Sequence, residues 1–523
     1  MKLKIFFFTT VWLYALTLSG QSTITCDLIE LSNLTIGKNP TVKRNELQIQ
    51  IAQAGLQIQR SAFDYQLSSG LGISNSTSNL FEVDPVNSLF EDDFIETNNS
   101  DFSLGLQRKF RSGLSANVSV DYSQVSDNFP INRFSQNVGT FISDHTISST
   151  LLLTQPLIKG RGVKVTTAAE KSSSLQVESA ENSFELSSAL ELFKMGVAYW
   201  QYAGAYKNHI IFKENENRVK KVLFITKELV KADKKPVGDL VQIEADLANQ
   251  ERQTKVATQS LHNAKINLGR AIGLSEKESE ALGIPENEFP ITSEHIEAID
   301  SEALINTARK NRKDMHAFEK TQEALEFQLQ LASNNLKPQL DLSGFASYGG
   351  TNMGNGLDRA FSALGNREGR NYIFGLRLDF SFPINNNFAK GTFLQNKAAF
   401  ADQQIAYNDL QRNIDINVNI AINNLKNNAL ILAKAKETLG YYQDVFNNEQ
   451  TKFQNGLTTL LNLILFQERL TFAQLDYLQA QQRFAISIID LRYETGTLIS
   501  MEGNKMASPI TEEIYYTIPT PNY

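Results

Sequence analysis

One stretch of this chain occurs twice at a fixed distance, and this duplication constrains the fold more than any other feature. Residues 231–245 read KADKKPVGDLVQIEA, and their counterpart 223 positions later, residues 454–468, reads QNGLTTLLNLILFQE. The same offset relates Gly273 to Gly496 and Leu268 to Leu491. Recurrence at a fixed spacing indicates repeated supersecondary units. Because long helical patterns flank both stretches, the sequence predicts two tall helical hairpins with these stretches at their tips.

The segments that flank the two tips predict helices much longer than those of globular domains. Proline is absent from residues 165–231 and 390–452. About 65 helical residues extend on the order of 100 Å. Apolar residues recur at alternating spacings of three and four, the pattern of coiled-coil packing, as in Leu186, Leu190, Phe193, Val197 and Trp200. Residues 414–422 alternate like a strand, but the helical register continues through them, so we expect helix there.

Alternating apolar and polar residues predict strands in both halves of the chain. The predicted strands are four in the first half, near 65–74, 102–110, 114–122 and 147–153, and two in the second, near 340–348 and 372–382. The clearest one places Tyr372, Phe374, Leu376, Leu378, Phe380 and Phe382 on one face. One apolar and one polar face suit a wall between lipid and water. A soluble sandwich with one wet face is the alternative.

These patterns predict four parts. Residues 1–20 have a positive start and an apolar core, as a signal peptide does. Two repeats and a polar, loosely packed tail follow, with these bounds: first repeat 21–300, with a helix, about four strands and a tip near 231–239; second repeat 301–498, with a helix, two strands and a tip near 453–462; tail 499–523. The first helices of the repeats, Pro40–Phe63 and Asp314–Leu336, are offset by 273 residues rather than 223, so the first repeat carries 50 extra residues before its tip.

Composition argues against several functions. A net charge of -7 makes nucleic acid an unsuitable partner. Neither a catalytic constellation nor a cofactor motif stands out, and the five histidines are scattered, so we expect no enzyme, cofactor or metal site. Cys26 is the only cysteine. Acylation of Cys26 is the lesser alternative, because Thr25 stands where a lipoprotein usually has a small residue.

Several motifs in this order resemble the TolC family of outer-membrane efflux and secretion channels. They are LTQPLIKGRG before the first long helix, GDLVQIEADLA and FQNGLTTLLNLI at the tips, and the helix ends RAIGL and YETGTL. The resemblance covers residues 39–498. It implies an α+β membrane protein, a homotrimer whose outer-membrane β-barrel is continued by a long periplasmic α-helical coiled-coil barrel.

The resemblance also implies a function and partners. The protein would be the outer-membrane exit channel of a tripartite efflux pump or type I secretion system in a Gram-negative-type cell. It would conduct cargo passively from the periplasm to the outside through an iris-like periplasmic gate. The partners would be outer-membrane lipid, a periplasmic adaptor and an inner-membrane transporter of RND or ABC type. The resemblance specifies neither the cargo nor the pump. A periplasmic coiled-coil adaptor or structural protein is the alternative.

The strand number departs from the family. The resemblance implies two strands per repeat, twelve per trimer, whereas the first repeat here predicts four strands. Either the barrel is larger, or the hairpin that turns at Ser112 and Gly113 lies outside the usual wall.

The candidate site residues lie at the tips. The family has a glycine six residues before a tip aspartate, and this chain has Asp233 and Asp239 at the first tip but Gly456 and Asn462 at the second. The candidate gate residues are therefore Asp233, Asp239, Gly456, Thr458 and Asn462. Asp239 either caps a helix start or contributes to a ring of carboxylates that controls cations. Three lysines make the first tip basic and are candidate adaptor contacts, or only solvated charges: Lys231, Lys234 and Lys235.

Overall fold

The structure is a computed structural model, and parts of the chain fall outside the description that follows. It describes residues 24–81, 94–128, 142–291, 296, 299–365, 369–499, 501–502, 505–506 and 510–519. The predicted signal peptide and parts of the tail lie outside the described residues. The division into a signal peptide, two repeats and a tail stays a prediction.

The described residues form helices and strands in the following order. The helices are α1 Leu28–Lys38, α2 Pro40–Arg60, α3 Val163–Thr166, α4 Ala168–Lys231, α5 Gly238–Ile272, α6 Glu276–Glu280, α7 Ser301–Asn311, α8 Lys313–Asn335, α9 Leu357–Ala363, α10 Asn387–Gln454, α11 Leu460–Glu494 and α12 Glu513–Tyr516, with a 3-10 turn at Ser61–Phe63. The strands are β1 Ile24–Cys26, β2 Tyr65–Asn79, β3 Phe94–Lys109, β4 Ser115–Asp127, β5 Ile142–Pro156, β6 Leu282–Pro285, β7 Gln339–Met353, β8 Arg370–Ser381, β9 Met501–Glu502 and β10 Lys505–Met506.

The long helices agree with the predictions from periodicity. Helix α4 has 64 residues and α10 has 68, and each is followed after a short tip by a helix of 35 residues. At ~1.5 Å per residue, α10 is about 100 Å long. The strand-like alternation of residues 414–422 lies inside α10, so the prediction of helix there is confirmed. The buried positions Ile414, Val418, Ala421 and Leu425 follow the helical repeat, which overrides the modest propensity cost of β-branched residues.

The chain divides into two compact units. One consists of residues 49–180 and 316–408 and contains a six-stranded sheet in the order β2-β3-β4-β5-β7-β8. All neighbouring pairs in it are antiparallel. Four of its strands come from the first half of the chain and two from the second. From the sequence, the hairpin that turns at Ser112 and Gly113 could belong to the sheet or lie outside it. In the structure its strands, β3 and β4, are inside the sheet.

The other unit consists of residues 1–48, 181–315 and 409–523. Its main core joins α1, α4, α5 and α11 with the two-stranded parallel sheet β1-β6. Trp200 is fully buried there and stacks on Phe289, with ring centroids 5.1 Å apart. Residues 274–299 follow α5, and α6 and β6 give part of that segment regular structure.

The prediction of a loosely packed tail is wrong for residues 510–519. Tyr515 is 1% exposed, and its hydroxyl lies 2.5 Å from that of Ser32 in α1. Arg492 of α11 donates to the carbonyl of Thr517 over 2.8 Å. Polar composition indicated a solvated segment, but one tyrosine and one arginine attach it to the helices. Burial of an aromatic ring by a distant segment leaves no periodic signal in so short a stretch.

Cys26 lies in the core of the same unit. Its side chain is fully buried, and burial together with the nearby Glu286 carboxylate raises the pKa of the thiol to about 12. An acyl group on this sulfur would displace core packing. The unmodified cysteine therefore fits the fold.

The two returning helices end in the same local arrangement. Asn39 Nδ2 donates to the carbonyl of Ala271 near the end of α5 over 2.9 Å. Arg312 Nη1 reaches the carbonyl of Glu494 at the end of α11 over 3.4 Å and its carboxylate over 2.5 Å. Asn39 and Arg312 differ by 273 positions, and the two carbonyls by 223, which are the offsets found in the sequence. Side chains satisfy helix-terminal carbonyls that have no partner within the helix.

Among the described residues, no helix combines the length and the apolar character needed to cross a bilayer.

Candidate functional site: the tips of the two helical hairpins

The two tips share one backbone turn. At the first tip (residues 231–239), Asp233 has a φ of 57°, and the amide of Lys234 donates to the carbonyl of Leu229 over 2.9 Å. At the second tip (residues 453–462), Gly456 has a φ of 73°, and the amide of Leu457 donates to the carbonyl of Lys452 over 2.8 Å. Both are Schellman turns with a left-handed residue after the helix. Aspartate tolerates this conformation better than most residues, so the turn survives without glycine.

The two tips differ in how their second helices begin. At the second tip, Thr459 is the N-cap of α11, and its hydroxyl accepts from the amide of Asn462 over 3.3 Å. At the first tip, Pro236 occupies the equivalent position, and α5 begins at Gly238 after Val237, without a side-chain cap. A threonine cap satisfies one of the free amides of a helix start. The second tip is therefore the better capped of the two.

Asp239 and Asn462 occupy the first turns of their helices. Asp239 is half-buried in the first turn of α5, and within the described part of the chain its carboxylate has no hydrogen-bond or ion-pair partner. Asn462 is exposed, and its Nδ2 lies 3.3 Å from the hydroxyl oxygen of Thr458. A carboxylate in a first helical turn is stabilised by the helix dipole without direct contact. The two proposed roles of Asp239 stay predictions.

A side chain of the first tip is bonded to the second tip. Lys235 Nζ donates to the carbonyl of Thr458 over 3.1 Å and lies 5.2 Å from the centre of the Phe453 ring. The Thr458 hydroxyl in turn donates to the Glu449 carboxylate, which Lys452 contacts at 3.2 Å. These bonds hold the pKa of Glu449 below its usual range, the Thr458 bond most strongly. We name these five residues the tip link.

In the residues that the structure describes, the other two lysines of the first tip form no hydrogen bond or ion pair with the second. Lys231 pairs with Glu228 one turn earlier on α4, at 2.7 Å, and both side chains are exposed. Lys234 is exposed and has no ion-pair partner among the residues described. The proposed adaptor contacts thus divide into one lysine bound within the tips and two that face solvent. Large exposed apolar side chains lie beside them: Val237, Val241, Leu457 and Leu461.

The second half of the chain is similar to a known protein family. Residues 304–497 match the model of the outer membrane efflux protein family. The matched segment contains β7, β8, α10, the second tip and α11. The recognition of the family from the motifs is therefore confirmed.

The fold of the whole chain resembles those of solved outer-membrane channels. The outer-membrane channel OprN superimposes with a TM-score of 0.65 at 16% identity, over 90% of this chain and 90% of that one. The Campylobacter jejuni CmeC outer membrane channel gives 0.64 at 15% identity, over 92% and 86%. The outer membrane protein VceC from Vibrio cholerae gives 0.61 at 15%, over 90% and 96%. No curated protein matches the chain by sequence.

These comparisons support the predicted mixture of helices and sheet. The chain is a mixed helix and sheet protein with the fold of TolC-like channels. Among the described residues, no three His, Cys, Asp or Glu side chains lie together as a metal site would require.

Behind the tips of the two hairpins, the helices share an apolar core. The buried side chains are Val219, Val222, Ile243, Phe446, Phe453, Leu460, Leu463 and Leu470. A chain of buried amides lies beyond it. Gln467 of α11 donates to Asn215 of α4 over 2.8 Å, and Asn215 donates to Gln250 of α5 over 2.8 Å. A satisfied buried network fixes helix register. Three helices are therefore held together at this level, while one lysine joins the tips beyond it.

Sequence reasoning missed four residues of the site: Glu449, Lys452, Phe453 and Thr459. Glu449 lies nine residues before Thr458, at a spacing that no helical or capping rule connects. Thr459 carried a usable signal, because a threonine before an apolar helical stretch is a common N-cap. Lys235 was noticed for its charge, but its bond to a carbonyl 223 residues away depends on the packing of two hairpins.

Proposed function

We propose that this protein is an outer-membrane exit channel that conducts cargo passively from the periplasm to the outside. Three copies form the channel, with the sheets in the outer membrane and the helical hairpins in the periplasm. An adaptor and an inner-membrane transporter, in a tripartite efflux pump or a type I secretion system, complete the pathway. The efflux-family match of residues 304–497 supports this function, as does the channel fold.

The observation that carries the proposal is the exposed apolar face of the six-stranded sheet. Phe374 and Leu376 of β8 are each 79% exposed, and Leu71 of β2 is 77% exposed. A soluble protein rarely leaves a continuous apolar surface of this kind open. Lipid chains would cover it. The same observation argues against the alternative, a periplasmic coiled-coil adaptor or structural protein, which has no use for such a face.

The tips are proposed to form the periplasmic gate. Six of them, two per copy, would surround the axis, and the tip link would hold the two hairpins of one copy together in the closed state. Breaking the bond from Lys235 to the Thr458 carbonyl would free the second hairpin to move outward. Asp239, Asn462 and the left-handed residues Asp233 and Gly456 would shape the constriction.

The adaptor is proposed to dock on the outer surface of the tips. Lys231 and Lys234 supply exposed positive charge, and the neighbouring apolar side chains supply contact area. Such a surface suits a partner that combines acidic and apolar side chains. No chemistry takes place on the chain in this proposal, and the transporter supplies the energy.

Single-channel recording of the full-length protein in a planar bilayer tests the proposal. Stable trimers extracted from outer-membrane fractions should give discrete conductance steps, and Asp239→Ala should alter them. Conductance absent from both wild type and Asp239→Ala would refute the pore. Recovery of the protein as a soluble periplasmic species would instead favour the adaptor.

A further inference from the structure

The extra residues of the first half form strands of the main sheet. β2 pairs with β3 over fifteen consecutive positions, from Tyr65 with Arg108 to Asn79 with Phe94. β4 then pairs with β3 on one side and β5 on the other without a change of register. If the β3-β4 hairpin lay outside the wall, β2 would pair directly with β5. Both inserted strands are therefore wall strands.

The inserted strands have the same two faces as the others. Leu71 of β2 lies opposite Phe102 of β3, which lies opposite Tyr122 of β4. The apolar face of the two inserted strands consists of Phe102, Leu104, Leu106, Val118, Val120 and Tyr122. The other face is polar and rich in small residues, with pairs such as Asp101 with Ser123 and Gln107 with Asn117. One apolar surface thus continues across all six strands.

The two edge strands are suited to pair with each other between copies. Among the described residues, β2 and β8 each have a neighbour on one side only. Because the sheet is antiparallel throughout and has an even number of strands, these edges run in opposite directions. Unpaired backbone groups are costly in hydrocarbon, so a sheet edge there has to be closed. An antiparallel contact between β8 and β2 of the next copy continues the alternation.

Resting on the trimeric channel proposed above, we propose that β8 of each copy pairs with β2 of the next. Three copies of the six-stranded sheet then close one barrel of eighteen strands. The resemblance alone implied twelve. Barrel diameter grows roughly linearly with strand number, so this barrel is about one and a half times as wide as a twelve-stranded one. The partner of each edge is a second copy of this chain.

Disulfide cross-linking between copies tests the contact. Arg377 of β8 lies on the polar face, as do the even-numbered positions of β2. Arg377→Cys is combined, one at a time, with Gln66→Cys, Ser68→Cys, Gly70→Cys, Gly72→Cys and Ser74→Cys in the full chain. Because these positions are two residues apart, one member of the series lies opposite Arg377 in any register within this range. That variant should give a covalently closed trimer on oxidation, whereas the native Cys26 is buried and does not compete.

A matched control uses the fact that successive side chains of a strand lie on opposite faces of the sheet. Leu376 is the neighbour of Arg377 and lies on the apolar face, so Leu376→Cys with the same five partners should give no cross-link. Stable trimers before oxidation verify that each variant is folded. Equal cross-linking from Leu376→Cys, or none from the whole Arg377→Cys series, would overturn the contact.

The strand count in an electron-microscopy map of the wild-type trimer separates this inference from the function on which it rests. Eighteen wall strands support it. A trimer with twelve wall strands and the β3-β4 hairpin outside them overturns the wide barrel but leaves the channel intact. A protein that forms no trimer overturns both.

Discussion

The first and second tips have the same backbone and different side chains. Both helices end in a Schellman turn, and every hydrogen bond of one turn has its counterpart 223 residues later in the other. The left-handed position is nevertheless Asp233 in one tip and Gly456 in the other. The backbone geometry is thus conserved between the halves even where the residue best suited to it is not.

The side chains of the two tips differ in the hydrogen bonds that they form. The first tip extends Lys235 and carries Asp239, whose carboxylate has no partner among the described residues. The second tip provides the acceptor at Thr458, the buried acid Glu449 and a capped helix start at Thr459. The bond between them therefore has a donor side and an acceptor side. From this difference we infer that the two hairpins of one copy contribute unequally to any gate.

The largest effect is expected from Lys235→Ala, which removes the donor. A charged hydrogen bond at a half-exposed site contributes about 1 kcal/mol after solvent screening. If it holds the closed state, its loss raises the open-to-closed ratio about fivefold. Open probability in bilayer recordings measures this. Lys234→Ala is the control, because that lysine has no hydrogen bond or ion pair to the second tip in the described part of the chain. An equal effect of both variants would refute the tip link.

The next effect concerns the ring of charge and distinguishes the two roles of Asp239. If Asp239 acts on ions, Asp239→Asn lowers the cation preference of the channel and Asn462→Asp raises it, each by about twofold at 0.1 M salt. The effect is larger at 0.01 M salt, because the Debye screening length increases from about 10 Å to about 30 Å. Reversal potentials under a salt gradient measure the preference. If Asp239 only stabilises the start of α5, Asp239→Asn leaves the reversal potential unchanged.

A more local effect is expected in the turns themselves. Among the described residues, no atom lies within 4 Å of the position that a Cβ would take at Gly456. Gly456→Ala is therefore opposed only by its left-handed backbone, at a cost of about 1 kcal/mol. Asp233→Gly should stabilise the first turn by less than that. Hydrogen exchange at the amides of Leu457 and Lys234 reports the two turns separately.

The control for these turns is Gly440→Ala in the interior of α10. A Cβ there also meets nothing within 4 Å, but the backbone is helical. Alanine is favoured over glycine in a helix, so exchange should not accelerate. Acceleration in Gly440→Ala as large as in Gly456→Ala would show that backbone handedness is not the cause.

The last effect is expected only at acidic pH. Because the pKa of Glu449 is lowered in the folded protein, chiefly by the Thr458 bond, ionised Glu449 stabilises the second tip above its unfolded value of 4.5. That contribution is lost as the pH falls through the lower folded pKa. Protease cleavage of the second tip should therefore increase below pH 4.5 and not between pH 5 and 8. Thr458→Val should move the transition to higher pH, and an unchanged transition would contradict this assignment.

Features that depend on neighbouring residues were predicted from the sequence. The tip positions, the long helices and the alternating strands follow from spacing, because backbone hydrogen bonding in a helix and side-chain direction in a strand are periodic. The left-handed turn at Asp233 could be expected for a similar reason, since its duplicate is a glycine.

Contacts between distant segments could not be predicted in this way. The hydrogen bonds from Lys235 to Thr458 and between Tyr515 and Ser32 join residues far apart in the chain. The position of the β3-β4 hairpin depends on which strands pair with it. Periodicity gives no register between separate elements. The number of strands was therefore predictable, but their order in the sheet was not.

The duplicated stretch by itself determined that this protein has two hairpins and where each one turns, since a turn depends only on local backbone conformation. The tertiary structure alone decided that the tips are bonded by one lysine and that the inserted hairpin lies within the sheet. These are choices of partner, and a partner is fixed by which surfaces pack together and which polar groups would otherwise be left without a hydrogen bond.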